Sequence, residues 1–156
     1  MVLFCGIDPG LKGGVALIND EEVLLLTSIP NKDEWVYSIV EWADRPFPEP
    51  IIVALEEVHG YPGMSVKAVS TFMKEAGKAE VLAQAIGKVY FINPRTWKKY
   101  YKLKSNKAES IELAISLFPS VKENLSDKED GKAEALLIAN FIKNNYKNLI
   151  DKNKNM

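Results

Sequence analysis

Cysteine and histidine are all but missing: the 156 residues hold one of each, Cys5 and His59. A lone cysteine forms no internal disulfide, which fits a reducing compartment. It lies in the apolar run Leu3-Phe4-Cys5-Gly6-Ile7 and reads as a small residue of a buried strand. One histidine builds no histidine-based zinc site, and His59 stands in His59-Gly60-Tyr61-Pro62-Gly63, a turn composition. Hydrophobic runs long enough to span a membrane are also missing. The opening residues are broken by Asp8-Pro9-Gly10 and Lys12, unlike a signal peptide. There is no internal repeat and no linker. These absences predict one cytoplasmic domain over residues 1–146, its core filled from a 47% hydrophobic composition, followed by a disordered tail at 147–156.

Net charge is small, −1, but unevenly spread. Lys88, Arg95, Lys98, Lys99, Lys102, Lys104 and Lys107 share a stretch, 88–107, with no Asp or Glu, so the rest of the chain is acidic. One localised basic segment suits contact with a polyanion as well as a solvated helix face. Trp97, Tyr100 and Tyr101, interleaved with the cations, favour nucleic acid.

The hydrophobic pattern predicts strands at 2–7, 13–18 and 22–28, joined as an antiparallel meander. A helix follows, capped by Asn31 with Glu34 reaching back, burying Trp35, Ile39 and Trp42 and ended by Pro46, Pro48 and Pro50. Ile51-Ile52-Val53-Ala54-Leu55 reads as a strand buried on both faces. Residues 65–87 form a long helix whose Gly77, Ala79 and Ala83 leave a thin surface for another helix. A short strand, 89–92, leads to a helix opened by Asn93-Pro94, then to one capped by Ser105 and running through Phe118. The last helix begins at 127–130 and ends at Tyr146. The order predicts an α/β fold, a mixed sheet with helices on both faces.

Three acidic positions stand out. Asp8 and Glu56 each end an apolar strand, Asp8 beside a Pro-Gly turn that offers it a plain turn role. Glu57 follows Glu56 and must point to the opposite face. Glu134 sits in Ala133-Glu134-Ala135-Leu136-Leu137-Ile138-Ala139, apolar nearly all round, where an ionised carboxylate requires a basic partner or a bound cation. Asp130, one turn earlier, doubles the charge and favours a cation. It also reads as an N-cap, with Gly131 behind it, and Asp127 is an alternative, because Ser126 and Glu129 have capping-box spacing that would start the helix earlier, although Gly131 inside such a helix argues mildly against that start. All-oxygen donors select Mg2+, with Mn2+ as substitute, over zinc.

These residues fall into four blocks. They are Gly6-Ile7-Asp8-Pro9-Gly10 with Gly13-Gly14-Val15-Ala16, Ala54-Leu55-Glu56-Glu57-Val58-His59 with Pro62-Gly63, Pro94-Arg95-Thr96-Trp97-Lys98-Lys99, and Asp130-Gly131-Lys132-Ala133-Glu134-Ala135-Leu136-Leu137-Ile138-Ala139. In this order the sequence resembles the RuvC family of Holliday-junction resolvases, and more closely its phage and prophage members.

The resemblance implies an RNase H-like, five-stranded mixed sheet on which Asp8, Glu56, Asp130 and Glu134 hold two divalent ions for phosphodiester hydrolysis. It implies a homodimer nicking opposed strands of a four-way junction, in the host cytoplasm if phage-encoded. Lys107 matches a basic residue near the scissile phosphate; Arg95, Lys98, Lys99, Lys102 and Lys104 are expected to contact DNA. Two departures stand against the family pattern: the last ligand is Glu134 where the family has Asp, and the preceding acid is four residues earlier, not three. The place of a stacking aromatic holds His59, with Tyr61 nearby as its replacement. Other readings are a phosphotransferase or ATPase of the actin-like fold, a non-catalytic branched-DNA binder, and a nuclease for flaps, forks or structured RNA.

Overall fold

The computed structural model describes residues 1–45, 50–104 and 106–154. Five strands form one sheet: β1 (Leu3–Asp8), β2 (Gly14–Ile18), β3 (Val23–Ser28), β4 (Ile51–Glu56) and β5 (Lys88–Ile92), in spatial order β3-β2-β1-β4-β5. The expected meander is present, β1–β2 and β2–β3 being antiparallel, while β4 and β5 add parallel to β1 and to each other.

Alternation along the central strands sorts their side chains between two apolar layers. Leu3, Cys5, Ile7, Val15, Leu17, Ile51, Val53 and Leu55 face α1 (Trp35–Asp44) and α2 (Val66–Ile86). Phe4, Ala16, Ile18, Ile52, Ala54 and Ile92 face the other side, with α3 (Pro94–Tyr100), α4 (Lys107–Leu117), a 3-10 turn (Pro119–Asn124) and α5 (Asp130–Lys154). Helices therefore cover both faces, and buried Cys5 keeps its thiol protonated, its pKa raised by burial.

The layer under α5 is unusually thin. A Cβ on Gly6 would overlap the Ala135 carbonyl oxygen and the Ala139 nitrogen, and one on Gly14 would lie 2.7 Å from the Lys132 Cα. From the helix side, a Cβ on Gly131 would overlap the Lys12 carbonyl oxygen, and Gly13 and Gly131 form a bridge. Backbone thus lies directly on backbone along the first turns of α5. This is why Gly131 stands inside the helix and not before it: the space, not helix propensity, selects it.

Local details depart from expectation in four places. Glu34 Oε2 does accept the Asn31 N–H (3.3 Å), but Asn31 and Glu34 close a turn and the helix itself begins at Trp35. Ala79 and Ala83 of α2 are buried against the sheet in the layer that holds Trp35 and Trp42, so the helix admitted by the thin surface is α1 of the same chain. Asn106 caps α4, accepting from the Ala108 N–H at 3.0 Å. The expected Ser105 cap lies outside the described residues, as do Pro46 and Pro48. Finally, α5 continues through Lys154 instead of fraying after Tyr146, because Tyr146 and Leu149 extend its apolar stripe against the core.

Gly6→Ala and Gly131→Ala are expected to destabilise the fold by about 1–3 kcal/mol or more, since a Cβ must lift α5 off the sheet. Gly77→Ala, with no atom within 4 Å of the added Cβ in mid-α2, is expected to stabilise by about 0.5–1 kcal/mol. Urea unfolding midpoints of the three variants check the contrast.

Candidate functional site

Register brings the strand acids together. Ile7 pairs with Leu55 across the parallel β1–β4 ladder, so Asp8 and Glu56 are the next residues on neighbouring strands. Both lie on the α5 face by alternation. Glu57 turns away, its Oε2 3.1 Å from His59 Nε2 at the surface. The two readings of Asp8 coexist: Oδ1 accepts the Gly10 N–H at 3.1 Å in a turn, and the carboxylate stays beside the other acids.

The glycine-bedded start of α5 delivers the remaining pair. Asp130 and Glu134 stack one turn apart on the helix and face Asp8. Asp127 is exposed in the turn before α5, where the Glu129 carboxylate accepts the Ser126 N–H at 2.8 Å. Ser126 and Glu129 thus close a turn, as the Glu129 N–H also bonds the Ser126 carbonyl, and do not cap the helix, which starts at Asp130; Asp130 rather than Asp127 faces the cluster.

Charges within the cluster act on one another. Burial raises the Glu56 carboxyl to about 7, with the Asp8 and Glu134 charges adding to it and an indole hydrogen bond from Trp97 opposing. Burial also raises Glu134, reinforced by Asp8 and Asp130 and opposed by Lys98. Asp8 is raised chiefly by burial, against the Gly10 hydrogen bond and Lys98. Two ammonium groups partly neutralise the set: Lys98 Nζ lies 3.6 Å from Glu134 Oε1, and Lys107 Nζ 3.4 Å from Asp130 Oδ2. Ser110, nearly buried on α4, donates to Glu134 Oε1 at 3.5 Å. Among the described residues no three acids stand close enough to form a ready ion cage. The donor chemistry nevertheless fits a hard divalent cation: carboxylate oxygens only, in negative excess over the two lysines.

The basic stretch does not act as one surface. Lys98 and Lys107 turn to the acids, whereas Lys99 lines a groove of about 450 Å³ with Thr96, Tyr100, Phe141, Asn145 and Lys152, between α3 and α5. Arg95 and Lys104 are exposed, and Lys102 takes a left-handed conformation (φ 54°) just after α3. Of the interleaved aromatics only Tyr100 is substantially exposed. Trp97 is fully buried, and Tyr101 donates to the Leu137 carbonyl at 3.2 Å and accepts from Asn140 at 2.8 Å. Tyr61, 66% exposed, stands on the loop after β4, beyond Glu56.

Trp97 is the residue whose part the sequence pattern misassigns. Its Nε1–H donates to Glu56 Oε2 at 2.6 Å. A usable signal exists: β5 ends opposite Glu56, and a tryptophan early in the helix that follows falls within reach of that carboxylate.

A mixed five-stranded sheet flanked by helices, with acids at the ends of β1 and β4 and on the facing terminal helix, is an RNase H-like architecture of the RuvC type. Solved structures with this fold include two of RuvC. Thermus thermophilus RuvC in complex with a Holliday-junction substrate aligns with TM-score 0.59 at 20% identity, covering 88% of this chain and 90% of that one. A second structure of Thermus thermophilus RuvC aligns with TM-score 0.60 at 16% identity, covering 91% and 95%. These likenesses show the fold. No protein-family model and no curated protein matches the sequence.

The raised carboxyl of Glu56 predicts a pH dependence without added metal. The folded state holds this proton more tightly than the unfolded chain, so its stabilisation is complete below the ordinary glutamate range and is lost as pH rises through about 7. Asp8 and Glu134 act in the same direction. Melting temperature in EDTA is expected to fall between pH 4.5 and 7.5, a loss of about 1–3 kcal/mol from Glu56. Glu56→Gln is expected to flatten that slope.

Proposed function

We propose that this chain is a metal-dependent endonuclease of branched DNA, with Asp8, Glu56, Asp130 and Glu134 as ligands for magnesium or manganese. The observation that carries the reading is the placement of four half-buried acids from three distant segments, Asp8, Glu56, Asp130 and Glu134, toward one face of a RuvC-type fold, although no three of them stand within caging distance of an ion. Such an arrangement works against folding unless a cation is taken up. Bound there, the metal supplies a Lewis acid that activates water and stabilises the leaving oxygen of a phosphodiester. Glu134 and Asp130, now paired with Lys98 and Lys107, would hold the cation together with Asp8 and Glu56, and the two ammonium groups beside the site would then be placed to meet a phosphate. Glu134, longer than the Asp expected from the family pattern, reaches the cluster from a helix held close by glycine contacts.

A neighbour solved with a Holliday junction, together with the basic residues around the acids, supports branched DNA as the substrate class. Arg95, Lys99, Lys102 and Lys104 extend the positive surface along the DNA, and exposed Tyr61 is free to stack on an unpaired base at the branch. A homodimer, two sites acting on opposed strands, uses the exposed apolar start of α2. There Val66 and Met73 stand out and a groove of about 410 Å³ is lined by Pro9, Leu11, Met64 and Phe72.

Incubation with labelled four-way junction, flap and duplex DNA is expected to give magnesium-dependent nicks in the junction, and few in the duplex. Glu134→Gln is expected to lose nicking by orders of magnitude while keeping junction affinity, with a melting temperature in EDTA equal to or above wild type. A Glu134→Gln protein that nicks at the wild-type rate removes Glu134 from the site.

Replacing Arg95, Lys99 and Lys102 together by Ala is expected to weaken junction binding. The slope of log K against log salt should become shallower by up to about 0.9 for each phosphate that is no longer neutralised. An unchanged slope across a salt series puts the DNA elsewhere.

A further inference from the structure

Residues 97 and 98, adjacent on α3, each hold one acid of the cluster. Lys98 pairs with Glu134, and Trp97 donates to Glu56 Oε2. The two are also linked to each other, Lys98 Nζ lying 5.2 Å from the centre of the Trp97 ring.

The indole is unusually well fixed. Its ring is fully buried in the layer under α5. The helix that carries it is tied at its start, where the Asn93 side chain accepts the Arg95 N–H at 2.9 Å and the Glu57 N–H donates to the Ile92 carbonyl at 2.9 Å. It is tied at its end by Tyr101, bonded to Leu137 and Asn140 of α5. An indole has one donor and no acceptor, so its whole hydrogen-bonding capacity is spent on Glu56. Short bonds from a neutral donor to a carboxylate are among the stronger hydrogen bonds in proteins. Unlike a lysine, this donor brings no charge that opposes cation uptake. Among the described residues no donor bonds the second oxygen of Glu56, Oε1.

We infer that Trp97 is a positioning residue for Glu56, its indole N–H fixing one carboxylate oxygen so that the other stays available to a divalent cation. This rests on the metal-binding reading of the acidic cluster. Partners that orient a ligand in this way typically contribute about 10–100-fold to metal affinity or activity.

The test is Trp97→Phe, which keeps an aromatic ring and loses the N–H. Trp35→Phe is a matched control, because Trp35 is also a buried indole but lies on the opposite face of the sheet, its Nε1 without a hydrogen-bond partner among the described residues. Manganese affinity by calorimetry, half-saturating magnesium for junction nicking, and melting temperature are read on each. Trp97→Phe is expected to weaken manganese binding by about tenfold or more and to raise half-saturating magnesium similarly, with nicking restored toward wild type at high magnesium. Metal-free junction affinity should not change. Trp35→Phe is expected to lower the melting temperature with no change in either metal value.

Equal metal affinity in wild type and Trp97→Phe, or equal weakening in both variants, overturns the positioning role. Should Trp97→Phe fail to fold, benzothienylalanine at position 97, which has the shape of tryptophan with sulfur in place of N–H, gives the same readout. Wild-type protein that neither binds manganese nor nicks a junction overturns the metal reading itself. An unaffected Trp97→Phe beside an active wild type overturns only the role of Trp97.

Discussion

The direct seating of α5 on β1 and β2 governs the arrangement of everything else. Gly6 and Gly14 on the sheet, and Gly131 on the helix, remove the side chains that ordinarily separate these layers. The helix start is thereby brought down beside the ends of β1 and β4, where Asp8, two positions beyond Gly6, and its neighbour Glu56 on β4 face Glu134. With larger residues at those glycines, the acids would stand on the same faces but farther apart. Apolar burial along Leu136, Leu137, Ile138 and Ile142 then holds the helix in place against the repulsion that its first turn creates.

That repulsion is handled by neighbours of different kinds. Lys98 and Lys107 offer mobile positive charge, Ser110 and Trp97 fixed neutral donors, and the Gly10 N–H one backbone dipole. The lysine ion pairs are long and exchangeable; Lys107 is 75% exposed. The neutral side-chain donors belong to the packed interior: Trp97 and Ser110 are buried. The site therefore separates a part that yields to an incoming ligand from a part that keeps the carboxylates oriented.

Much of this is legible in the order of residues alone. The apolar run ending in Glu56 and the apolar collar around Glu134 are both patterns in which a charge is out of place, and each falls in the cluster. Alternation on a strand correctly separates Glu56 from Glu57. What a one-dimensional pattern does not carry is which surface a small residue serves: Ala79 and Ala83 face α1 within the chain, and Gly131, which reads as a helix breaker, is selected by its close approach to Lys12. Trp97 escapes for a related reason. Flanked by cations it looks like a surface aromatic, and only the β4–β5 register shows that it points inward to Glu56.

The three segments that supply the acids are far apart in the chain, and the β1–β4 ladder joins two of them only after a long parallel crossover. Loops of that length close late in folding, because their entropy must be given up before any new pairing rewards it. The repulsion among the carboxylates is therefore expected to be felt only once that crossover has closed. Kinetic persistence of the native state is where such late pairings register: neutralising an acid of the cluster slows unfolding more than it speeds folding, and bound divalent metal acts on the same limb.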